Sequence, residues 1–240
     1  MFFPKFGAVT ASGLTDGVDM TSEQALTLTG TTHTTNEAGC KVIVTRKLRE
    51  QLKEDVFKAA GKVIGNAIAK KIDQDGLALF SGLDTSLGAA GSTFAVARLQ
   101  AAVTQMYGQA EPVPDPFFCV LHPYQFHDII TDLSVPSANN IPPDIQAEVL
   151  RSYFRGSDKL YNVPIFTTGN VTTDTADDAY GAVFSKMAFI YLIGWEPYNW
   201  NVEDHSARAW EIGVVADYNM VEEDGTYGRA LLYDASAPTS

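Results

Sequence analysis

The residues of this chain best equipped for chemistry are its histidines (His33, His122, His127 and His205) and its two cysteines, Cys40 and Cys119. Cys119, His122 and His127 follow a Cys-x2-His-x4-His spacing, and zinc takes nitrogen and sulfur ligands of this kind. The set lacks a second cysteine pair, however, and Cys119 lies inside the apolar run Phe117-Phe118-Cys119-Val120-Leu121. A buried structural cysteine and two histidines near a helix start account better for the spacing. His127-Asp128 offers two members of a hydrolytic triad, but no Gly-x-Ser-x-Gly elbow supplies the nucleophile. Neighbouring residues on a helix also point in different directions. Glu203-Asp204-His205 could bind a cation, yet reads as a polar turn before a strand. Glu222-Glu223-Asp224 reads as the solvated tip of a hairpin. No Walker loop, dinucleotide fingerprint, EF-hand or His-Glu-x-x-His motif occurs. These residues predict no catalytic centre, no metal and no cofactor. A metal-dependent hydrolase built on His122, His127 and Asp128 is the remote alternative, which stoichiometric metal in the purified protein would favour.

The elements that would position such residues come from 240 residues, enough for one large domain or two small ones. Hydrophobic residues make up 45% of the chain, which supplies a substantial core. Charged residues reach only 19%, so much of the surface is Thr, Ser, Asn and Gly, a composition suited to contact with other protein. The net charge of −12 argues against a dedicated nucleic-acid binder, which needs a dense Lys/Arg face. It argues equally against an anionic membrane surface as partner. An acidic protein can still enclose DNA without gripping it. Two cysteines far apart form no disulfide framework and suit a reducing cytoplasm. The start Met1-Phe2-Phe3-Pro4-Lys5 is not a signal peptide, and no apolar run is long enough to span a membrane. The sequon Asn170-Val171-Thr172 carries little meaning without secretion.

Along the chain, residues 1–44 read as two strand-like arms joined by a Thr-rich stretch, with Leu26-Thr27-Leu28-Thr29 and Lys41-Val42-Ile43-Val44 as the extended segments. Such a ribbon has too few large apolar residues to fold alone and needs a surface to lie on. From Thr45, a candidate N-cap, a helical pattern runs to Phe80. Leu48, Leu52, Val56, Ala60, Val63, Ala67 and Leu77 fall near one face, with Phe57, Ile64, Ile68 and Ile72 widening it. At 1.5 Å per residue this helix would be roughly 50 Å long and would brace a flat or elongated subunit. Gly61 and Gly65 leave a spot where another backbone could approach. After a small-residue loop at 81–93 come a helix at 94–108, a buried strand at 117–121 and a helix opening at His122-Pro123. A loop at 132–143, a short helix at 144–154 and a strand at 162–168 follow. Strands at 182–184, 189–193, 198–202, 209–215 and 230–233 complete an α+β chain.

The stretch from Val44-Thr45-Arg46-Lys47-Leu48-Arg49 to Ala69-Lys70-Lys71-Ile72-Asp73 resembles the spine helix of tailed-bacteriophage major capsid proteins of the Hong Kong 97 type fold. Pro4-Lys5-Phe6-Gly7-Ala8-Val9 with its Thr-rich continuation is similar to their extended loop. Val120-Leu121-His122-Pro123 and Leu160-Tyr161-Asn162-Val163-Pro164-Ile165 resemble axial-domain strands. Arg208-Ala209-Trp210-Glu211-Ile212 through Asp234-Ala235 resembles the closing strands of the peripheral domain. The likeness covers nearly the whole chain in order and lies in that succession rather than in one motif. Members commonly carry an arm before the extended loop. This sequence reaches the loop almost at Met1, so that arm is either very short or outside it.

The resemblance implies an extended β-hairpin arm at 1–44, a peripheral domain with the spine helix at 45–94 and 195–240, and an axial domain at 95–194. It implies a shell of pentamers and hexamers around the genome of a tailed double-stranded DNA phage, with no enzymatic activity. Expected partners are copies of the chain, portal, and scaffolding or decoration proteins, with assembly in the cytoplasm of a bacterial host. Contacts between subunits are expected at Lys5, Phe6, Leu14, Asp16, Asp19, Leu26 and Leu28 on the arm and at Arg46, Arg49 and Lys53 at the helix start. Some members cross-link loops through Lys and Asn. Here Lys5 with Asn170 or Asn219 could be nominated, but no cross-linking motif is matched. An encapsulin, a bacterial nanocompartment of the same fold, is the nearer alternative.

Overall fold

The computed structural model describes residues 1–7, 9–20, 23–52, 55–134 and 159–238. Lys53, the expected helix at 144–154 and most of the loop at 132–143 lie outside them.

The expected long helix is broken. Thr45 caps α1 (Arg46–Gln51) by accepting from the Leu48 N–H, as expected, but Leu52 is extended and ends it. Asp55 then starts α2 (Val56–Ala78), its carboxylate accepting from the N–H groups of Phe57 and Lys58. Two orphan donors are satisfied there, which lowers the cost of the fresh start. The brace is therefore α2 alone, about 35 Å long at 1.5 Å per residue.

Beneath α2 lies an antiparallel sheet of β3 (Asn36–Thr45), β10 (Ala209–Glu222) and β9 (Phe189–Asp204), with β10 in the centre. Ile64 and Ile68 of α2 pack on Val214, Ala216 and Tyr218, with Val42 and Ile212 alongside. The Tyr218 hydroxyl donates to Asp75 Oδ2 at 2.7 Å. β9 joins the two segments expected at 189–193 and 198–202 into one strand through Pro197. Proline is tolerated because β9 is an edge, and the register slips at Val215/Asp217 and Asp217/Tyr218.

The second sheet has the order β4 (Ser86–Gly88), β11 (Gly228–Asp234), β8 (Asp178–Ser185), β5 (Phe117–Leu121), β7 (Val163–Thr167) and β6 (Lys159–Leu160). Helices α3 (Val96–Tyr107) and α4 (Pro123–Ser134) cover one face, burying Leu99, Met106, Leu121, Ile129, Val183 and Leu231. The Asp132 carboxylate accepts from the Val96 N–H at 3.0 Å and ties α4 to the start of α3. Against other residues of the sheet pack Leu77, at the end of α2, and Phe80 and Leu83 just beyond it. One helix thus reaches from the first sheet to the second.

Two strands cross the boundaries expected from sequence. Residues 36–45, expected as part of the arm, pair along their whole length with β10. β11, grouped with the peripheral portion, pairs with β8 of the middle portion. The turn at Glu222-Glu223-Asp224 consequently links two sheets and is not a hairpin tip. Nor is it solvated: Asp224 is only 8% exposed and caps the short 3-10 turn Gly225–Tyr227 through the Thr226 N–H.

Candidate subunit interface

The remaining strands form the arm. β1 (Phe2–Phe6) and β2 (Leu28–Thr32) pair antiparallel, with Phe6 opposite Leu28 and Lys5 opposite Thr29. The ribbon continues outward through the Gly7 N–H to the Thr27 carbonyl and a two-way bond between Thr10 and Gln24. Its root is fixed: Asn219 Nδ2 donates to the Thr34 carbonyl at 2.7 Å and Thr35 Oγ1 to Asp217 Oδ2 at 2.8 Å. The described residues beyond it are nearly bare. Phe2, Phe6, Val9, Leu14, Val18, Met20, Leu26 and Leu28 are all 53–67% exposed. Asp16 and Asp19 stand exposed near the tip. A row of apolar side chains on a two-stranded ribbon is not a core, and it is costly to leave in water.

Among the expected contact residues of the arm, Lys5 is engaged with the body of the subunit. Its ammonium donates to Asp224, which fastens the arm to the link between the two sheets. Burial alone would push the Asp224 carboxyl up. Hydrogen bonds from Lys5 and from the Thr226 hydroxyl and N–H outweigh that and hold it below the ordinary range. The same contact raises the Lys5 ammonium above its usual value. The nominated cross-link partners also have other bonds: Asn219 holds Thr34, and Asn170 Nδ2 donates to Asp73 Oδ2 at 2.7 Å.

A second bare surface was not signalled by the sequence. α2 covers one face of the β3-β10-β9 sheet. The other carries Ile43, Val202, Trp200, Tyr198 and Val215 around an ion pair between Lys41 and Glu211. Ile43, Tyr198 and Val202 are 53%, 63% and 54% exposed. Gly213 belongs to this face because Trp200 lies flat on it: a Cβ there would come within 2.4 Å of the indole. The alternation in β10 was legible, but which of its faces the helix takes was not.

Arg46 and Arg49 sit at one end of this sheet. Arg49 lies over the rings of Phe57 and Trp210, at 5.3 and 5.0 Å from their centroids, and Arg46 lies over Trp210 and 3.6 Å from Glu203. Both remain exposed while held in place.

The chemical candidates resolve into structural roles. Cys119 is fully buried in β5, and burial pushes its thiol up. His122 caps α4: its Nδ1 accepts from the Tyr124 N–H at 3.3 Å, while Gln125 Oε1 accepts from the His122 N–H at 3.2 Å. This is a reciprocal capping box with histidine in the serine position. Gln125 Nε2 also donates to the carbonyls of Ala179 and Tyr233, riveting the helix to β8 and β11. Asp204 closes the turn between β9 and β10 by accepting from Ser206 and Ala207. Among the described residues, no three His, Cys, Asp or Glu side chains are placed to share a metal ion.

A family model described as phage capsid protein matches residues 29–227. No curated protein sequence matches the chain. Solved structures that resemble it include that of Mycobacterium phage Che8, with a TM-score of 0.75 at 14% identity over 96% of this chain and 83% of that one. The capsid of Ralstonia phage GP4 gives 0.72 at 13% identity, covering 100% and 84%. The head of Helicobacter pylori bacteriophage KHP40 gives 0.71 at 12%, covering 98% and 84%. The likeness at this identity is one of fold, and the family match carries the rest: the chain belongs to the phage capsid protein family and is a structural shell subunit of the virion, not an enzyme.

Proposed function

We propose that this chain is the subunit of pentamers and hexamers that close into the icosahedral head of a tailed double-stranded DNA phage. The observation that carries the reading is a pair of unsatisfied surfaces: a ribbon lined with apolar side chains, and a sheet face of Ile43, Tyr198, Trp200 and Val202 left open by α2. The arm of one copy, with Leu14, Leu26 and Leu28, lies on the open sheet face of the next. Asp16 and Asp19 at its tip are opposite in charge to Arg46 and Arg49, which sit at the end of that sheet on its helix side. Closed symmetry repeats each modest contact, so no single residue has to dominate.

In this reading α2 and the β3-β10-β9 sheet form the peripheral domain. The six-stranded sheet with α3 and α4 forms the axial domain that meets its copies around the five- and sixfold centres. The shell contains DNA without reading its sequence, recruits a portal and a scaffolding or decoration protein, and assembles in the bacterial cytoplasm. Light scattering and negative-stain microscopy on the expressed protein test this first. Closed shells or five- and six-membered rings are expected, and phage-sized particles holding DNA separate a head from an enzyme-loaded nanocompartment. A protein that stays monomeric with or without a co-expressed scaffold would defeat the proposal.

A further inference from the structure

We infer that the solvent face of α2, carried by Lys58, Lys62 and Lys70, is a contact strip for enclosed double-stranded DNA. This rests on the shell reading and adds which side of the subunit meets the nucleic acid.

The charge of the chain is strongly segregated. Eight of its 17 basic residues, but only three of its 29 acidic ones, fall between Arg46 and Lys71. That stretch carries +5 and leaves −17 for the remainder. The whole-chain balance therefore hides a local basic surface. Within the stretch, Arg46 and Arg49 are engaged with Trp210, Phe57 and Glu203, and Lys71 with Asp75. Lys58, Lys62 and Lys70 are exposed and have no carboxylate partner among the described residues.

Their placement is directional. Ile64 and Ile68 hold the inner side of α2 against the sheet, which turns Lys58 and Lys62 to the opposite side. At 1.5 Å per residue those two stand about 6 Å apart along the axis, with Lys70 about 12 Å further on. Phosphates along one strand of a duplex recur about every 3.4 Å of its axis, so flexible lysine side chains can each take a separate phosphate. Gly61, Gly65, Asn66 and Ala69 between them are small and exposed, and a Cβ added at either glycine would meet nothing within 4 Å. A stiff duplex can therefore lie close along the ridge.

The acids at the two ends of the strip keep their charge but are turned to partners within the chain. Asp55 caps the helix and Asp73 accepts from Asn170. At about 0.1 M salt, interactions between exposed charges fade beyond roughly 10 Å, so the acidic remainder of the subunit does not cancel the strip locally. The open sheet face proposed to receive a neighbour's arm is on the far side of the sheet from this helix. One side of the subunit suits protein and the other suits a polyanion.

The test is binding of a short, non-specific, fluorescent DNA duplex to the unassembled full-length protein, followed by anisotropy across a salt series. Wild type should bind at low salt. K58E/K62E should weaken binding at least tenfold and flatten the slope of log K against log salt by about 2. The charge-matched control R98E/K186E, exposed elsewhere on the chain, should change affinity less than threefold. Equal losses in both variants, no binding by wild type, or equally tight binding of a poly-glutamate of matched charge would each overturn the assignment. The duplex reading does not depend on assembly, and shell formation scored in parallel by microscopy tests the shell reading alone.

Discussion

Asp224 shows what a single residue does when the chain brings it a distant partner. Its carboxyl is depressed by Lys5, which lies 219 positions earlier. A depressed carboxyl contributes stability above its unfolded pKa of about 3.9 and loses it as pH falls through the lower folded value. The Lys5 attachment of the arm should therefore hold at neutral pH and come free only in acid. Amide shifts of Phe3, Lys5 and Phe6, followed by NMR on the unassembled subunit, should move together in that acidic window. Lys5→Met should show the released pattern already at pH 7, at a cost of no more than about 1 kcal/mol in overall stability, because the lysine is largely solvated. Amide shifts that ignore both pH and the substitution would remove the latch. None of this was legible from Glu222-Glu223-Asp224, whose local composition signals a solvated turn. By contrast, the structural roles of Cys119 and His122 followed from neighbours in sequence: an apolar run on one side and a proline on the other. The cap that His122 shares with Gln125 is an [ST]-x-x-[EQ] pattern with histidine in first place, and that substitution hid it.

At the scale of elements, α2 earns its stability from one narrow face. Ile64 is 3% exposed and Val63, its neighbour, 62%. Ile64→Ala should cost about 2–4 kcal/mol in urea unfolding of the subunit, through lost burial and the cavity left against Val214 and Ala216. Val63→Ala should stay within about 0.5 kcal/mol. Equal effects would mean that the helix face is misassigned. Helical periodicity made the existence and type of this element readable, but not its start. Leu48, Leu52 and Val56 continue the apolar rhythm straight through the break, while the signal against it is one cap residue, Asp55. The merging of two strand segments into β9 has a related cause. Pro197 interrupts the local strand pattern, and only its position on an edge lets the strand pass through.

For the whole molecule, the order of elements was legible and the partnership of strands was not. Pairing joins Asn36 to Tyr218 and Gly228 to Phe184, and no local pattern encodes which sheet a strand will join. The consequence is practical. Cutting out residues 8–38 would remove the start of β3 along with the arm, whereas the ribbon alone ends at Thr32. Replacing residues 8–26 with a tight Asn-Gly link should leave the subunit folded, because Gly7 and Thr27 already face each other across the ribbon. Its circular dichroism and urea midpoint should match wild type while shells disappear from negative-stain images. Normal shells from that variant would show that the arm is not what joins the subunits.

β9 carries one further consequence. Sixteen residues of it run along an open sheet edge with most side chains exposed. A straight edge of that length would be a template onto which another chain could add as a strand, and then another, without limit. Pro197 offers no N–H to such an addition, and the two register shifts bend the edge out of line. A shell subunit is thereby steered away from fibres, whose growth never ends, toward association that closes on itself.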